Sequence, residues 1–101
     1  MWILQSSNPE PEIQPVTFRL GAGAVKTIGR ATGADFIVEA ALVSRVHCRL
    51  TADAERLEVV DLSSTNGTFV NDKRVERAML GQGDRLRVGR VELLVQRESA
   101  R

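Results

Sequence analysis

The sequence predicts an all-β fold in which short strands form a sandwich or a barrel. Apolar and polar residues alternate along most of the chain, which is the pattern of strands with one buried and one solvated face. Glycine, asparagine and aspartate interrupt the alternation at short intervals, as expected for the turns of such folds. No segment combines the length and the apolar period of a long helix.

The alternation places six strand segments along the chain. In order, they are residues 2–4, 16–20, 46–51, 57–61, 85–88 and 91–96. A tight hairpin is predicted at Val88-Gly89-Arg90-Val91, since glycine suits the first central position of a two-residue turn.

Two further segments need a separate interpretation. Residues 39–50 begin with Ala-Ala-Leu, which favours a helix, but the Val-Ser-Arg-Val-His that follows is poor helix material. The later alternation therefore predicts a strand there. Residues 8–15 hold all three prolines of the chain, which predicts a loop or an irregular connection between the first two strands.

Size and composition are those of one small folded domain. The chain has 101 residues, of which 43% are apolar, and this is enough to bury a core. Aromatic residues make up only 4%, so the core is predicted to consist mainly of Val, Leu, Ile and Ala.

Several classes of function are disfavoured by composition. A net charge of +1 argues against a protein held to nucleic acid by bulk charge. The N-terminal residues lack the features of a signal peptide, and no stretch reaches the roughly 20 apolar residues of a membrane helix. A cytoplasmic protein without membrane contact is therefore expected. All but two of the 14 basic residues are arginines, which suits phosphate recognition but equally fits a high-GC genome.

The only cysteine and the only histidine are neighbours, Cys48 and His47. This excludes an intrachain disulfide and a metal site built from cysteine or histidine clusters. Adjacent residues on a strand point to opposite faces, so the two side chains could not form a nucleophile–base pair. Cys48 is predicted to pack in the core, and no metal or cofactor is implied.

Three segments between the predicted strands carry the functional signal. They are Gly29-Arg30, Ser44-Arg45-Val46-His47 and the run Asp61–Thr68. Loops on a rigid sandwich are common places for binding residues. The three segments supply arginines, hydroxyls and an asparagine amide but no paired carboxylates, so they are equipped to hold an anion such as phosphate rather than to cleave one.

In kind, order and spacing these segments resemble the forkhead-associated domain family. The pattern is Gly-Arg, then Ser-Arg-x-His, then Asp-Leu-x-Ser-Thr-Asn-Gly-Thr, followed by Phe69-Val70-Asn71 and by Leu-x-x-Gly-Asp at residues 80–84. The resemblance covers about residues 16–96 of a single domain expected over residues 1–101. It implies an 11-stranded β-sandwich of two twisted, mainly antiparallel sheets with binding loops at one end.

The resemblance also implies a role for each motif position. Contacts to phosphothreonine and its peptide are expected from five residues: Arg30, Ser44, Arg45, Thr65 and Asn66. Structural support of the site is expected from Gly29, His47, Asp61 and Gly67. The loops at residues 30–35 and 69–74 are expected to read the residues that flank the phosphothreonine.

The function implied is a non-catalytic module that recognises phosphothreonine on a partner protein as a signalling or assembly adaptor. The partner would be the product of a Ser/Thr kinase, and the module is expected to be a monomer. In this family the threonine methyl group fills a small pocket, which is worth about 0.8 kcal/mol by transfer arithmetic. A phosphate-independent or self-associating scaffold on the same fold remains the alternative, because a fold alone does not fix a function.

Overall fold

The computed structural model describes residues 1–7 and 15–98, which form eleven strands and no helix. The strands are β1 (Trp2–Ser6), β2 (Thr17–Leu20), β3 (Val25–Gly29), β4 (Phe36–Ile37), β5 (Cys48–Ala52), β6 (Leu57–Asp61), β7 (Thr68–Val70), β8 (Lys73–Val75), β9 (Arg77–Leu80), β10 (Arg85–Val88) and β11 (Val91–Arg97). The predicted irregular segment at 8–15 lies outside the described residues except for Pro15.

The strands form two sheets. One has six strands in the order β2-β1-β11-β10-β7-β8, and the other has five in the order β4-β3-β5-β6-β9. Every pairing is antiparallel except that of β3 with the two-residue β4. The prediction of an 11-stranded, mainly antiparallel sandwich without a long helix is confirmed.

The core lies between the two sheets and follows the alternation of the sequence. In β11, Val91, Leu93 and Val95 are buried while the residues between them are half-buried, and β6 buries Leu57 and Val59 in the same way. The buried apolar residues are mainly Leu, Val, Ile and Ala, with Trp2 as the buried aromatic side chain among the described residues. The predicted aliphatic core is confirmed.

Cys48 belongs to this core. Its side chain is fully buried, and burial, followed by the nearby Asp61 carboxylate, raises the pKa of the thiol to about 12. Because the thiolate is the reactive form, we expect the folded protein at pH 8 to resist alkylation by iodoacetamide and to react fully after unfolding in guanidinium. Native-state alkylation at the rate of a free thiol would contradict this placement.

One end of the sandwich collects the segments that carry the sequence motifs. Backbone hydrogen bonds join the chain after β3 to the chain before β5, with Arg30 N–H donating to Ser44 O at 3.0 Å and Ala31 N–H to Arg45 O at 3.1 Å. Leu62 N–H, just after β6, donates to His47 O at 3.0 Å. The predicted strand at 46–51 begins two residues later than expected, because residues 46–47 belong to this junction of loops.

No helix that could cross a membrane occurs in the described parts of the chain.

Candidate functional site

A depression of about 780 Å³ lies at this end of the sandwich and contains all five residues predicted to contact a ligand. Arg30 comes from the end of β3, Ser44 and Arg45 from the segment before β5, and Thr65 and Asn66 from the loop between β6 and β7. The remainder of its wall is the segment 39–43. We call this depression the site depression.

The Arg30 side chain is exposed but held in one orientation. Its Nε–H donates to the backbone carbonyl of Val43 at 3.1 Å, which fixes the plane of the guanidinium. The two terminal amino groups remain available as a forked pair of donors, the arrangement that binds a phosphate or carboxylate in a bidentate manner.

The Ser44 hydroxyl is oriented by the loop opposite. Its oxygen accepts a hydrogen bond from Thr65 N–H at 3.0 Å. A hydroxyl that accepts through its oxygen can still donate its proton. Ser44 is therefore able to donate a proton into the depression that Arg30 also lines.

His47 is fully buried and connects the loop that carries Ser44 to the loop that carries Asn66 and Gly67. Ser44 N–H donates to its Nδ1 at 3.0 Å, so the proton of the neutral ring must be on Nε2, which lies 2.8 Å from Gly67 O and donates to it. Both ring nitrogens are used within the protein. This geometry fits the predicted scaffold role, since the imidazole sets the spacing between the segments that carry Ser44 and Asn66.

Asp61, the last residue of β6, organises the loop from Ser64 to Thr68. Its Oδ1 accepts from the hydroxyls of Ser64 and Thr68, the latter at 2.7 Å, and its Oδ2 accepts from Ser64 N–H at 3.2 Å. The Ser64 oxygen in turn accepts from Gly67 N–H at 3.0 Å. Partial burial raises the pKa of Asp61, but the hydrogen bonds from Ser64 and Thr68 outweigh it, so the pKa lies below its ordinary value of 3.8.

Because folding lowers the pKa of Asp61, the contribution of this residue to stability depends on pH. The Asp61 carboxylate binds a proton more readily in the unfolded chain than in the folded protein. The free energy of unfolding therefore rises as the pH rises through the folded and unfolded pKa values of Asp61. The contribution of Asp61 is nearly complete above about pH 5 and is lost progressively as the pH falls through its folded pKa. We expect Asp61→Asn to lower the free energy of unfolding in urea more at pH 7 than at pH 3. An equal loss at both pH values would show that the charge of Asp61 plays no part.

Gly29 and Gly67 both stand where a side chain cannot be accommodated. A Cβ at Gly29 would lie 2.0 Å from the backbone oxygen of Arg45, so the backbone itself would have to move. Gly67 has φ +92°, and a Cβ there would lie 2.7 Å from Nε of Arg74. Both glycines allow close approach of the segments around the site, as expected from a supporting role.

Asn66 and Arg45 complete the site depression. Asn66 Nδ2 donates one proton to Leu42 O at 3.1 Å, which leaves its other N–H and its Oδ1 as the donor–acceptor pair that a peptide backbone requires. Arg45 is exposed, and within the described residues no hydrogen bond or ion pair engages its guanidinium.

The segment 39–43 is the part of the depression that sequence reasoning missed. Leu42 is 46% exposed and adopts φ 71°, a left-handed conformation that is rare for leucine. Its carbonyl holds the Asn66 side chain. No sequence signal marks it, because leucine normally predicts burial and an ordinary backbone conformation. Of the two loops expected to read flanking residues, 30–35 contributes only Arg30 to the depression and 69–74 contributes nothing.

Most polar side chains of the depression are hydrogen-bond donors, with Glu39 as the one carboxylate on its wall. The one histidine of the chain is turned inward with both ring nitrogens engaged. Within residues 1–7 and 15–98, no group of three His, Cys, Asp or Glu side chains could hold a metal ion.

A two-sheet sandwich that presents forked cationic donors, a hydroxyl and an amide with one spare N–H and its oxygen on loops at one end is typical of phosphopeptide-recognising interaction modules. The chain belongs to the forkhead-associated (FHA) domain family, whose sequence profile matches residues 26–89. FHA domains are non-catalytic interaction modules that bind phosphothreonine-containing peptides.

Solved structures of the family superpose closely on the chain. The FhaA FHA domain, solved in complex with the intracellular domain of Rv3910, is 33% identical with a TM-score of 0.83, and the match covers 95% of this chain and 100% of that one. An FHA domain studied for phosphothreonine-dependent interactions is 31% identical with a TM-score of 0.81, and 98% of each chain is covered.

Curated relatives are longer than the matched region. The ABC transporter ATP-binding/permease protein Rv1747 of Mycobacterium tuberculosis is 40% identical over 79 residues, which cover 78% of this chain but 9% of that protein. The glycogen accumulation regulator GarA of the same species is 34% identical over 71 residues, 70% of this chain and 44% of GarA. The match thus spans less than half the length of these two relatives.

Proposed function

We propose that the chain binds a phosphothreonine-containing segment of a partner protein in the site depression and catalyses no reaction there. The observation that carries the proposal is the convergence of oriented donors from three separate loops on one open depression. Residues 1–101 would act as a single domain, monomeric and cytoplasmic. Its ligand would be the product of a Ser/Thr kinase, and the bound protein would thereby be recruited to an assembly.

In the proposed complex, three side chains hold the phosphate. The two terminal amino groups of Arg30 bind two phosphate oxygens, because the Nε–H bond to Val43 O already fixes the guanidinium plane. The Ser44 hydroxyl donates to the phosphate, since its oxygen already accepts from Thr65. Arg45 supplies a further cation from the same wall.

The peptide backbone is held by the loop opposite the phosphate donors. The free N–H and Oδ1 of Asn66 pair with one backbone carbonyl and one amide next to the phosphothreonine. Thr65 supports the same strand of peptide from the adjacent position. These contacts involve only the backbone of the peptide. They do not depend on its side chains and are therefore compatible with many partner sequences.

The five residue roles are tested by mapping where a phosphothreonine peptide pool acts on the domain. Backbone amide signals in an NMR titration are expected to shift most at residues 30, 44, 45, 65 and 66. An identical pool without phosphate is the control and should leave those signals in place. Shifts confined to the outer face of either sheet, with or without phosphate, would contradict the assignment and favour a phosphate-independent scaffold.

A further inference from the structure

Asn66 and Gly67 form a pair of residues that can react with each other without any ligand. In an Asn-Gly sequence the backbone nitrogen of glycine can attack the carbon of the asparagine side-chain amide, because glycine has no side chain to obstruct the approach. Asn66 is the one asparagine of the chain that glycine follows, since Asn8 precedes proline and Asn71 precedes aspartate. Asn66 is therefore the position of the sequence most susceptible to deamidation.

The products of this reaction are aspartate and isoaspartate at residue 66. The nitrogen of Gly67 forms a bond to Cγ of Asn66 and loses its proton, while the bond from Cγ to Nδ2 breaks and the amide group leaves as ammonia. Water then opens the resulting succinimide ring at one of its two carbonyl groups. The carbonyl that water attacks decides which of the two products forms, and no oxidant or reductant takes part.

In the folded protein both reacting groups are held by other partners. Gly67 is buried, and its N–H donates to the Ser64 hydroxyl oxygen at 3.0 Å while its carbonyl accepts from Nε2 of His47 at 2.8 Å. The amide nitrogen of Asn66, which is the leaving group, donates to Leu42 O at 3.1 Å. Ring closure therefore requires Gly67 to leave Ser64 and the Asn66 side chain to leave Leu42.

The Ser64 hydroxyl is itself fixed in the position from which it accepts. Ser64 is buried, and its hydroxyl donates to Oδ1 of Asp61, while its backbone N–H donates to Oδ2 of the same carboxylate at 3.2 Å. A hydroxyl that donates to a carboxylate becomes a stronger acceptor. We propose that Asn66 is a latent deamidation site, and that the hydrogen bond from Gly67 N–H to the Ser64 hydroxyl prevents its reaction in the folded protein.

Deamidation would alter the site depression even without a ligand. A carboxylate on residue 66 has no proton to donate to Leu42 O, so two acceptors would face each other where the amide now forms a bond. The isoaspartate product would also lengthen the main chain by one carbon before Gly67. If residue 66 holds a phosphopeptide, the new negative charge would repel the phosphate. That loss of binding rests on the proposed function, whereas the reaction and its prevention do not.

The test follows the deamidation of Asn66 at pH 8 by digestion and mass spectrometry of the peptide that contains it. Wild-type protein unfolded in guanidinium should react at least about tenfold faster than folded wild-type protein, because folding restricts the opening that the reaction needs. Folded Ser64→Ala should react about two- to tenfold faster than folded wild-type protein, the range that corresponds to the loss of one hydrogen bond. In guanidinium the two proteins should react at equal rates.

Thr68→Val is the matched control, because it removes the other hydroxyl that donates to Oδ1 of Asp61, at 2.7 Å, but keeps the acceptor of Gly67 N–H. It should deamidate at the wild-type rate, and Ser64→Thr, which retains a hydroxyl, should stay protected. Urea unfolding establishes that each variant is folded under the conditions of the assay. Equal acceleration in Thr68→Val and Ser64→Ala would overturn the inference, and so would a folded Ser64→Ala that reacts as slowly as the wild type.

Hydrogen exchange of the wild-type protein gives a second measurement that needs no variant. The Gly67 amide proton should exchange more slowly than in the unfolded chain, because the same opening exposes it to water and to the Asn66 side chain. Free exchange of this proton in a protein that still resists deamidation would contradict the role of the Ser64 bond. None of these rates involves a ligand, so failure of every phosphopeptide to bind would overturn the proposed function and leave this inference standing.

Discussion

Replacing Arg30 with alanine is expected to lower the affinity for a phosphothreonine peptide by about a hundredfold or more. Two charge-assisted hydrogen bonds to the phosphate would be lost, and each is worth roughly 1.5–3 kcal/mol. The side chain is exposed, so its removal opens no cavity in the core. The melting temperature should stay close to that of the wild type while binding, measured by calorimetry, disappears.

Two further variants show whether charge alone or the fixed fork of Arg30 matters. Arg30→Lys keeps the cation but loses both the fork and the Nε–H bond to Val43 O, so an intermediate affinity is expected. Arg56→Ala removes the same charge at the turn between β5 and β6, at the far end of these strands, and should bind normally. Full affinity in Arg30→Ala would remove Arg30 from the site.

Replacing Gly29 with alanine is expected to damage both stability and binding. The new methyl carbon would lie 2.0 Å from Arg45 O, so the end of β3 must separate from the segment that carries Ser44. This would strain the bonds from Arg30 N–H to Ser44 O and from Ala31 N–H to Arg45 O. Overpacking of this kind costs about 2–3 kcal/mol, and the displaced Arg30 and Ser44 would no longer converge.

Urea unfolding, followed by peptide titration of the folded fraction, measures both consequences of Gly29→Ala. Gly21→Ala is the matched control, since a Cβ there meets nothing within 4 Å and the backbone is not left-handed. It should change the free energy of unfolding by less than about 0.5 kcal/mol. Equal behaviour of the two variants would show that the close approach at Gly29 is not needed.

The sequence predicted the sandwich well because burial follows strand alternation directly. The alternation at 57–61 corresponds to β6 residue for residue, and the Val88–Val91 hairpin pairs as expected. The alternation did not place β3, β4, β7, β8 and β9. β4 has only two residues and pairs in parallel with β3, so neither length nor period could reveal it.

The predicted contact residues of the site came together because each lies in a motif with fixed spacing. Residues 30, 44, 45, 65 and 66 all line one depression. The segment 39–43 was missed for a physical reason. Its place in the wall depends on long-range contacts, such as the bond from Asn66 to Leu42 O and the close approach of Gly89 to residues 41–43. Neither of these contacts can be predicted from the local sequence.

The same limit applies to the position of the Arg74 side chain. Arg74 follows Asn66 by eight residues, and nothing in that spacing places its guanidinium against Gly67. The placement arises from the pairing of β7 with β8, in which Phe69 lies opposite Arg74. None of residues 69–74 lines the site depression, and their part in reading the residues that flank the phosphothreonine stays a prediction.

We propose that binding requires a phosphate on threonine, held by the site depression. The most direct measurement titrates one peptide, selected from a phosphothreonine library, in its phosphothreonine, phosphoserine and unphosphorylated forms. Phosphothreonine should bind tightest, phosphoserine should bind about fourfold or more weakly for want of one buried methyl, and the unphosphorylated form should show no binding. Equal affinity for all three forms would contradict the claim.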